Sequence, residues 1–452
     1  MGSTRPRRIF SYLGKIRDQT AISISQAQAH IARCDRDRSV IHRYSFAYHH
    51  TNMGSTKDHL PQSITENHVR SLLDSLSSPP PRAIRKLKVT AEFHIIYVID
   101  YTAASFESWL ASREFHSHWP VCTTELILRI SGNHIPRIKT ENEASILSWL
   151  DKNPNIPVPR VVAYDSSTDN PLGHEFILMT RETGESLADV YSTFTSAQMD
   201  YVLDLLIDIN AELHNHTWSH IGGLSTDNKG NIVPGPVLEE TFWFEPDILA
   251  LWPPGGTFES LNISGPYHSY TEFISAHLLK YKHAIEVHQS LEFMRDILPQ
   301  LDRFITIIST EPMQTKLNDV PLRIAHKDLH FANILVDRIT AHVTGIVDWE
   351  FAGVVPFTRW NPSRAFLWNA QDNDTSMAEK TALIERYKRR AREKGFGYLI
   401  DDAKFTSKEQ ESLQTAANFL RAIVEVCPRN QASGSVMGWK ETAVKAMANL
   451  GA

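Results

Sequence analysis

From Ile84 onward the spacing of apolar positions changes several times, and each change predicts an element. The run Lys88-Val89-Thr90-Ala91-Glu92-Phe93-His94-Ile95-Ile96-Tyr97-Val98-Ile99 is dense in β-branched and aromatic residues and predicts strand, as does Glu125-Leu126-Ile127-Leu128-Arg129-Ile130. Around Glu143, the residues Ala144, Ile146, Leu147, Trp149 and Leu150 recur at three- and four-residue spacing, which predicts a helix that ends before Pro157-Val158-Pro159. Glu175-Phe176-Ile177-Leu178-Met179 is a further strand, followed by a turn at Gly184. Strands, one helix and more strands describe a small α+β lobe over about 84–180. Beyond it the pattern is helical: Leu203, Leu206, Ile207, Ile209, Ala211 and Leu213 form one stripe. Later helices are expected near Tyr270–Glu286, Leu291–Ile308, Ala378–Lys394 and Lys408–Val426, with a Gly/Pro-rich, loop-like stretch over 222–256. A second, mainly helical lobe is therefore expected over 181–452.

Residues 1–83 lack this patterning. Arg5, Arg7, Arg8, Lys15, Arg17, Arg33, Arg36, Arg38 and Arg43 meet only Asp18, Asp35 and Asp37 before position 50. A basic, Ser- and His-rich segment of this kind is expected to be a disordered arm, with a mitochondrial transit peptide as the other reading of its composition. Met53-Gly54-Ser55-Thr56-Lys57 nearly repeats the opening residues and marks a second candidate start, and Ser77-Ser78-Pro79-Pro80-Pro81 reads as a linker.

Composition narrows the function classes. The 452 residues are 42% hydrophobic and 22% charged with a formal net charge of −6, so no global basic field favours nucleic acid. Three cysteines at unrelated spacings exclude a disulfide framework or a cysteine-based zinc site as the organising feature. No apolar run approaches the ~20 residues that cross a bilayer. A cytoplasmic, soluble enzyme or binding protein is expected, with no nucleic-acid or membrane partner.

The chemistry concentrates in Ile324-Ala325-His326-Lys327-Asp328-Leu329-His330-Phe331-Ala332-Asn333-Ile334-Leu335-Val336-Asp337 and Val343-Thr344-Gly345-Ile346-Val347-Asp348-Trp349-Glu350. Asp328 and Asn333 are five apart, which suits a loop and a turn. Ile334-Leu335-Val336 and Gly345-Ile346-Val347 read as two strands of a hairpin that returns Asp348 to the neighbourhood of Asn333. Two oxygen ligands, Asn333 and Asp348, suit a hard divalent cation, and Asp328 is left to act on a substrate hydroxyl.

These segments resemble the signature of the aminoglycoside phosphotransferase / choline kinase-like family, with its His-Gly-Asp-Leu-His-x-x-Asn-Ile-Leu and Ile-Asp-Trp-Glu elements. Lys139-Thr140-Glu141-Asn142-Glu143, Pro157-Val158-Pro159-Arg160-Val161-Val162-Ala163-Tyr164-Asp165, Phe176-Ile177-Leu178-Met179-Thr180 and Ile221-Gly222-Gly223-Leu224 extend the likeness, which is to a branch common among filamentous fungi. The resemblance implies a bilobal, α+β, protein kinase-like fold, use of ATP and Mg²⁺, and phosphorylation of a small-molecule hydroxyl. It assigns Asp328 as catalytic, His326 as the histidine beside it that braces the loop, and Asn333 and Asp348 as metal ligands. Arg129, Glu143, Met179 and Thr180 fall at nucleotide-side positions. Departures are plain: no Gly-x-Gly-x-x-Gly precedes Glu143, Arg129 stands where a lysine is usual, Lys327 replaces a glycine, and an insertion spans roughly 102–120. Other readings stay open on the residues alone. His326 and His330, four apart, could be a helical zinc pair. The missing glycines favour a pseudokinase that binds nucleotide or a partner without turnover, and a kinase-like scaffold could serve other biosynthetic chemistry. Trp349, Trp360 and Trp368 are expected in the core. Trp243, Glu245 and Trp252 fall in the region expected to shape the acceptor site.

Overall fold

The computed structural model describes residues 60–61, 63–88, 93–111, 124–152, 156–359, 374–432 and 434–452. Its first half is built on an antiparallel sheet of five strands: β1 Ala83–Lys86, β2 His94–Asp100, β3 Glu125–Ser131, β4 Val161–Asp165 and β5 Phe176–Thr180, in the order β1-β2-β3-β5-β4. Strand alternation divides β3 between two cores. Leu126, Leu128 and Ile130 face one side with Ile95, Tyr97 and Ile99, whereas Ile127 packs on the other side with Ile177 and Met179 against the helix Ile138–Leu150. Arg129 shares that second parity and so is carried toward the helix. Since both faces are covered, the strands read as near-continuous apolar runs rather than alternating ones.

The first face is covered by something the sequence pattern did not lead us to expect. Residues from 60 onward belong to the folded body, and Glu66–Ser75 is a helix whose Val69, Leu72 and Leu73 pack on the sheet beside Ile95 and Tyr97. The expected tail boundary at 83 is therefore too late: an i, i+3, i+4 stripe lies inside the polar stretch. Tyr97 donates from its hydroxyl to Ile64 O at 3.0 Å and ties the two together. The Ser77–Pro81 segment is a short connection into β1, and Ser78 Oγ lies 2.8 Å from the Tyr101 hydroxyl. Residues 1–59, with the expected basic arm and Met53, lie outside the described residues. Within the expected insertion, Ala103–Ala111 is a helix that buries Phe106 and Leu110 on the same face; residues 112–123 are outside the description.

From β5 the chain passes to β6 Glu185–Ser186, which pairs with β10 Ile334–Val336; β10 pairs in turn with β11 Val343–Ile346. β9 Leu322–Ala325 pairs with β12 Gly353–Pro356, so the segment 326–352 is held at both ends. The stretch 222–256 is not all loop: β7 Leu224–Thr226 and β8 Ile232–Pro234 form a hairpin, and Glu245–Leu251 is helical. Helices Ser196–Asn215, Tyr270–Val287, Leu298–Ile308, Asp374–Glu393, Lys408–Val426 and Val436–Ala448 build the rest. The expected helix at 291–308 is broken, its first part being a 3₁₀ segment, Gln289–Ile297, that precedes Pro299.

Two of these helices run parallel, joined by a ladder of ion pairs. Arg386 Nε lies 2.6 Å from Asp200 Oδ1, Arg390 Nη2 lies 2.6 Å from Asp204 Oδ2, and Lys394 Nζ lies 2.7 Å from Asp208 Oδ1, so each step of one turn on one helix is matched on the other. Beneath the ladder, Leu383, Tyr387 and Ala391 are buried. Among the described residues no helix is long and apolar enough to cross a membrane.

If Glu66–Ser75 is integral to the fold, Leu72→Ala should cost about 2–4 kcal/mol of unfolding free energy in a chemical denaturation series. An unchanged midpoint would show that the helix is dispensable.

Candidate active site

The helix Ile138–Leu150 presents Lys139, Asn142 and Glu143 on one buried face, at i, i+3 and i+4. Each reaches a different element. Glu143 Oε1 pairs with Arg129 Nη1 of β3. Lys139 Nζ donates to Glu350 Oε2 at 2.9 Å. Asn142 Nδ2 donates to Glu350 O at 3.0 Å and Ala352 O at 2.9 Å, while its Oδ1 accepts from Leu224 N at 2.9 Å. Gly223 is required there, since a Cβ would collide with the Asn142 carbonyl.

Arg129 is the hub. Its Nη2 donates to Asp348 Oδ1 at 2.9 Å and lies 3.5 Å from Glu350 Oε2 and 3.0 Å from His94 Nδ1. The Arg129–Glu143 pair is thus no surface contact: the two side chains are 11% and 2% exposed, so breaking it would strand a charge. Burial works against the Arg129 charge, but Glu143, Asp348 and Glu350 together outweigh it and hold the guanidinium above its ordinary value. Burial likewise works to raise Asp348, and Arg129 overcomes it, holding that carboxyl below its usual range. Burial depresses His94 well below the ordinary histidine value, before the repulsion of Arg129 and Lys139 is added, so the imidazole is neutral. The ligand atoms of His94, Glu143 and Glu350 lie within 4.8 Å of one another, close enough for a metal, yet Arg129 and Lys139 already occupy the space among them.

The catalytic-loop candidates converge on the same point from below. Asn333 Nδ2 donates to Asp328 O at 2.9 Å and lies 3.3 Å from Asp328 Oδ2, and Val347 N donates to Asn333 O at 3.0 Å, which sets Asn333 beside Asp348. His326 Nε2 lies 2.9 Å from Val347 O and its ring stacks edge-on against buried Trp349 at 4.5 Å. His326 is thus a brace between the loop that follows β9 and the end of β11, and burial lowers its pKa. His330 Nε2 lies 3.4 Å from Asp328 Oδ2; burial opposes its charge, and the contact with Asp328 outweighs it and raises its pKa. The two histidines sit on a loop before the 3₁₀ turn Phe331–Asn333, not on one helical face, which removes the helical zinc-pair reading.

Lys327 and Asp348 both have φ of 70°, the left-handed region that costs a side-chain-bearing residue energy. At Lys327, where the resemblance expects glycine, that strain is offset by what the ammonium does: buried, it donates to Leu238 O. Burial lowers its pKa to about 8, against the pull of Glu239. Glu239 is itself held by Arg359 at 3.3 Å and His277 at 3.7 Å. Glu240, next in the chain, is half-buried and feels Asp328, Lys327, Glu350 and Asp348; burial first, and then repulsion from Asp328, raise its carboxyl well above the ordinary value.

Met179 and Thr180 are buried at the end of β5. Met179 joins the core under the helix Ile138–Leu150, and Thr180 Oγ1 accepts from Arg160 N at 2.9 Å and donates to Glu182 Oε1 at 3.1 Å. Trp243 and Trp252 are core residues packed at 4.9 Å, not an open platform, and Trp349 is buried as expected; Trp360 and Trp368 lie outside the described residues, as do residues 89–92 of the expected strand Lys88–Ile99. Sequence reasoning assigned no role to Lys139, Asn142, Glu350, His94 or Glu240. The signal for Lys139 was present: it lies one turn before Glu143.

As a metal site the residues fit. With its amide nitrogen turned to Asp328 O, Asn333 keeps Oδ1 for another partner, Asp348 is 36% exposed, and Asp328 Oδ1 is buried without a hydrogen bond. The available donors are all oxygens, the preference of Mg²⁺.

The sequence model of the Phosphotransferase enzyme family (APH) matches residues 108–358, and the chain belongs to that family. It is similar to the Clavilactone A biosynthesis cluster protein Y of Ampulloclitocybe clavipes, 27% identical over 226 residues, which are 48% of this chain and 50% of that one. A subtelomeric hrmA-associated cluster protein of Aspergillus fumigatus is 29% identical over 114 residues, 23% of this chain and 22% of that one. The chain thus spans half the length, or less, of these curated relatives. Among solved structures, the apo form of a thermostable mutant of aminoglycoside phosphotransferase APH(4)-Ia is 14% identical, covering 85% of this chain and 97% of that one with a TM-score of 0.41. The fold is α+β, with a β-sheet first part and a mainly helical second part.

Lys139→Met should destabilise the protein by about 3–5 kcal/mol, since it leaves Glu350 buried with its closest partner gone, and Lys139→Met/Glu350→Met should recover most of that loss in denaturation. A double variant no more stable than the single would refute the pairing. Lys327 gives a pH signature. Its folded-state pKa of about 8 lies below the ordinary 10.5, so the unfolded chain binds more protons between those values and stability should rise with pH across that window. Lys327→Met should flatten that rise in melts taken from pH 8 to 10.5.

Proposed function

We propose that the protein is a Mg²⁺-dependent phosphotransferase that moves the terminal phosphoryl group of a purine nucleoside triphosphate, ATP in the first instance, to a hydroxyl of a small molecule. The observation that supports this best is the direct link from β3 through Arg129 to both Glu143 and Asp348, with Asn333 and Asp328 hydrogen-bonded alongside. Small-molecule kinase chemistry asks for three things at one place: a cation for the phosphates, ligands for a metal, and an acceptor for the hydroxyl proton.

Arg129 is placed for the first role. Its fork of donors can take phosphate oxygens bidentately in exchange for the Asp348 contact. Asn333 and Asp348 would hold Mg²⁺, which when bound neutralises charge on the transferring group. Asp328 keeps one buried oxygen without a hydrogen bond, and an acceptor hydroxyl placed there would be oriented and relieved of its proton as the oxygen attacks phosphorus. His326 holds the loop in place through Val347 O and moves no proton. His330, 3.4 Å from Asp328, and Glu240, whose carboxyl feels the Asp328 charge, would line the acceptor side. On this reading the nucleotide lies between a sheet lobe over about 84–180, extended at its start by Glu66–Ser75, and the helical remainder. The acceptor is a small molecule of a fungal biosynthetic setting, by analogy with the cluster proteins named above.

Asp328→Asn should lower turnover about 10²–10⁴-fold while leaving nucleotide binding intact. Asp348→Asn should remove the Mg²⁺ dependence of nucleotide protection in a thermal-shift assay run with Mg·ATP and Mg·GTP. A metabolite-library screen with labelled triphosphate supplies the activity. Protection by nucleotide with no consumption against any acceptor would instead favour a binding protein without turnover, and no protection at all would sink the proposal.

A further inference from the structure

The turn that follows Asp328 wraps back over it. His330 N donates to Asp328 O at 3.0 Å, Asn333 N donates to His330 O at 3.0 Å, and Asn333 Nδ2 donates to the same Asp328 O at 2.9 Å. His330 caps the 3₁₀ turn Phe331–Asn333, a place usually taken by serine, threonine, aspartate or asparagine, and its Nδ1 accepts from Ala332 N at 3.2 Å. A backbone N–H can only donate, so Nδ1 carries no proton. The neutral imidazole then has its proton on Nε2, and a second proton, on Nδ1, would cost the Ala332 bond. Nε2 is the nitrogen that lies 3.4 Å from Asp328 Oδ2, a long approach of the kind common in unliganded active sites. The cap therefore turns the donor edge of the ring to the carboxylate.

The two oxygens of Asp328 are unequal. Oδ2 has His330 Nε2 at 3.4 Å and Asn333 Nδ2 at 3.3 Å. Oδ1 is buried and, among the described residues, takes no hydrogen bond. An ionised oxygen in that state is costly unless a donor arrives to meet it. The torsion that turns a carboxyl is soft and two-fold, so without a donor fixed on one side the two oxygens would trade places. Asn333 is a poor anchor for this purpose, because its amide nitrogen sits closer to Asp328 O than to Oδ2, 2.9 Å against 3.3 Å. Resting on the reading above, in which Asp328 receives the acceptor hydroxyl, we propose that His330 is a positioning residue that holds Oδ2 and so reserves Oδ1 as the oxygen that takes the hydroxyl proton. As the acceptor oxygen bonds to phosphorus and the nucleoside diphosphate leaves, that proton passes to Oδ1. The imidazole keeps its Nε2 proton throughout and transfers none.

Two substitutions separate holding Asp328 from capping the turn. In His330→Asn the amide oxygen can replace Nδ1 as the cap, and no donor reaches Oδ2. In His330→Gln the amide nitrogen can replace Nε2 as the donor, and the cap is lost. Initial rates of Mg·ATP consumption by the full chain are measured with the best acceptor from a metabolite library, or with water where none is found. His330→Asn should lower kcat about 10–100-fold with KM for Mg·ATP and the melting temperature unchanged, and His330→Gln should recover most of kcat despite a lower melting temperature. A residue that only caps the turn gives the reverse order, with the asparagine variant active and the glutamine variant impaired, and that result overturns the assignment. So does an equal loss in both. Imidazole nitrogen NMR of the full chain at about pH 8.5, with His330 identified by the signal that disappears in His330→Asn, should show the Nε2–H tautomer; the Nδ1–H form or an imidazolium also overturns it. A wild type that consumes no Mg·ATP under any of these conditions removes the phosphotransferase proposal itself, and this one with it, whichever tautomer is found.

Discussion

The structure depends on two buried cations shared among three buried or half-buried carboxylates. Arg129 comes from the sheet, Lys139 and Glu143 from one helix, and Asp348 and Glu350 from the turn that follows β11. Taking five charges out of water is expensive, and it is tolerable here because each finds a partner within hydrogen-bonding distance and His94 stays neutral beside them. The network crosses from the sheet to the segment between β9 and β12, so whatever shifts one side is felt on the other. The helix is bolted to both, through Arg129 on one side and through Glu350, Ala352 and Leu224 on the other.

Much of this was legible in the sequence, for identifiable reasons. β3 announced itself as an apolar run covered on both faces and the helix Ile138–Leu150 by apolar residues recurring at three- and four-residue spacing, and the parity of β3 carries Arg129 to the face where Glu143 waits. The hairpin β10–β11 was legible because short apolar strands flank polar residues whose chemistry has few alternatives. Glu66–Ser75 was missed because three apolar residues in a polar stretch carry little signal until a sheet face is there to receive them. Lys139 and Glu350 were hidden differently: a lysine on a helix and a glutamate after a tryptophan look like surface residues, and only tertiary packing turns them into an interior pair. The tryptophans at 243 and 252 show the converse, since their size gave no hint whether they lined an opening or filled a core.

Departures from the family pattern are answered locally. Lys327 sits in a backbone conformation suited to glycine, and its ammonium ties Leu238 to the loop that carries Asp328. Glu240 follows in the same segment and feels the charge of Asp328, so a residue that looks like an obstruction in the sequence ties an acidic neighbour to the loop that carries Asp328.

The ladder between Ser196–Asn215 and Asp374–Glu393 has a corollary for alignment. Its rungs repeat every turn with acids on one helix and bases on the other, so a slip by one turn would still match two of the three. Charge therefore cannot encode the alignment. The layer underneath can, because leucine, tyrosine and alanine differ in volume and Tyr387 fits neither the space of Leu383 nor that of Ala391. The charges make the two helices adhere, and the unequal sizes beneath choose the notch.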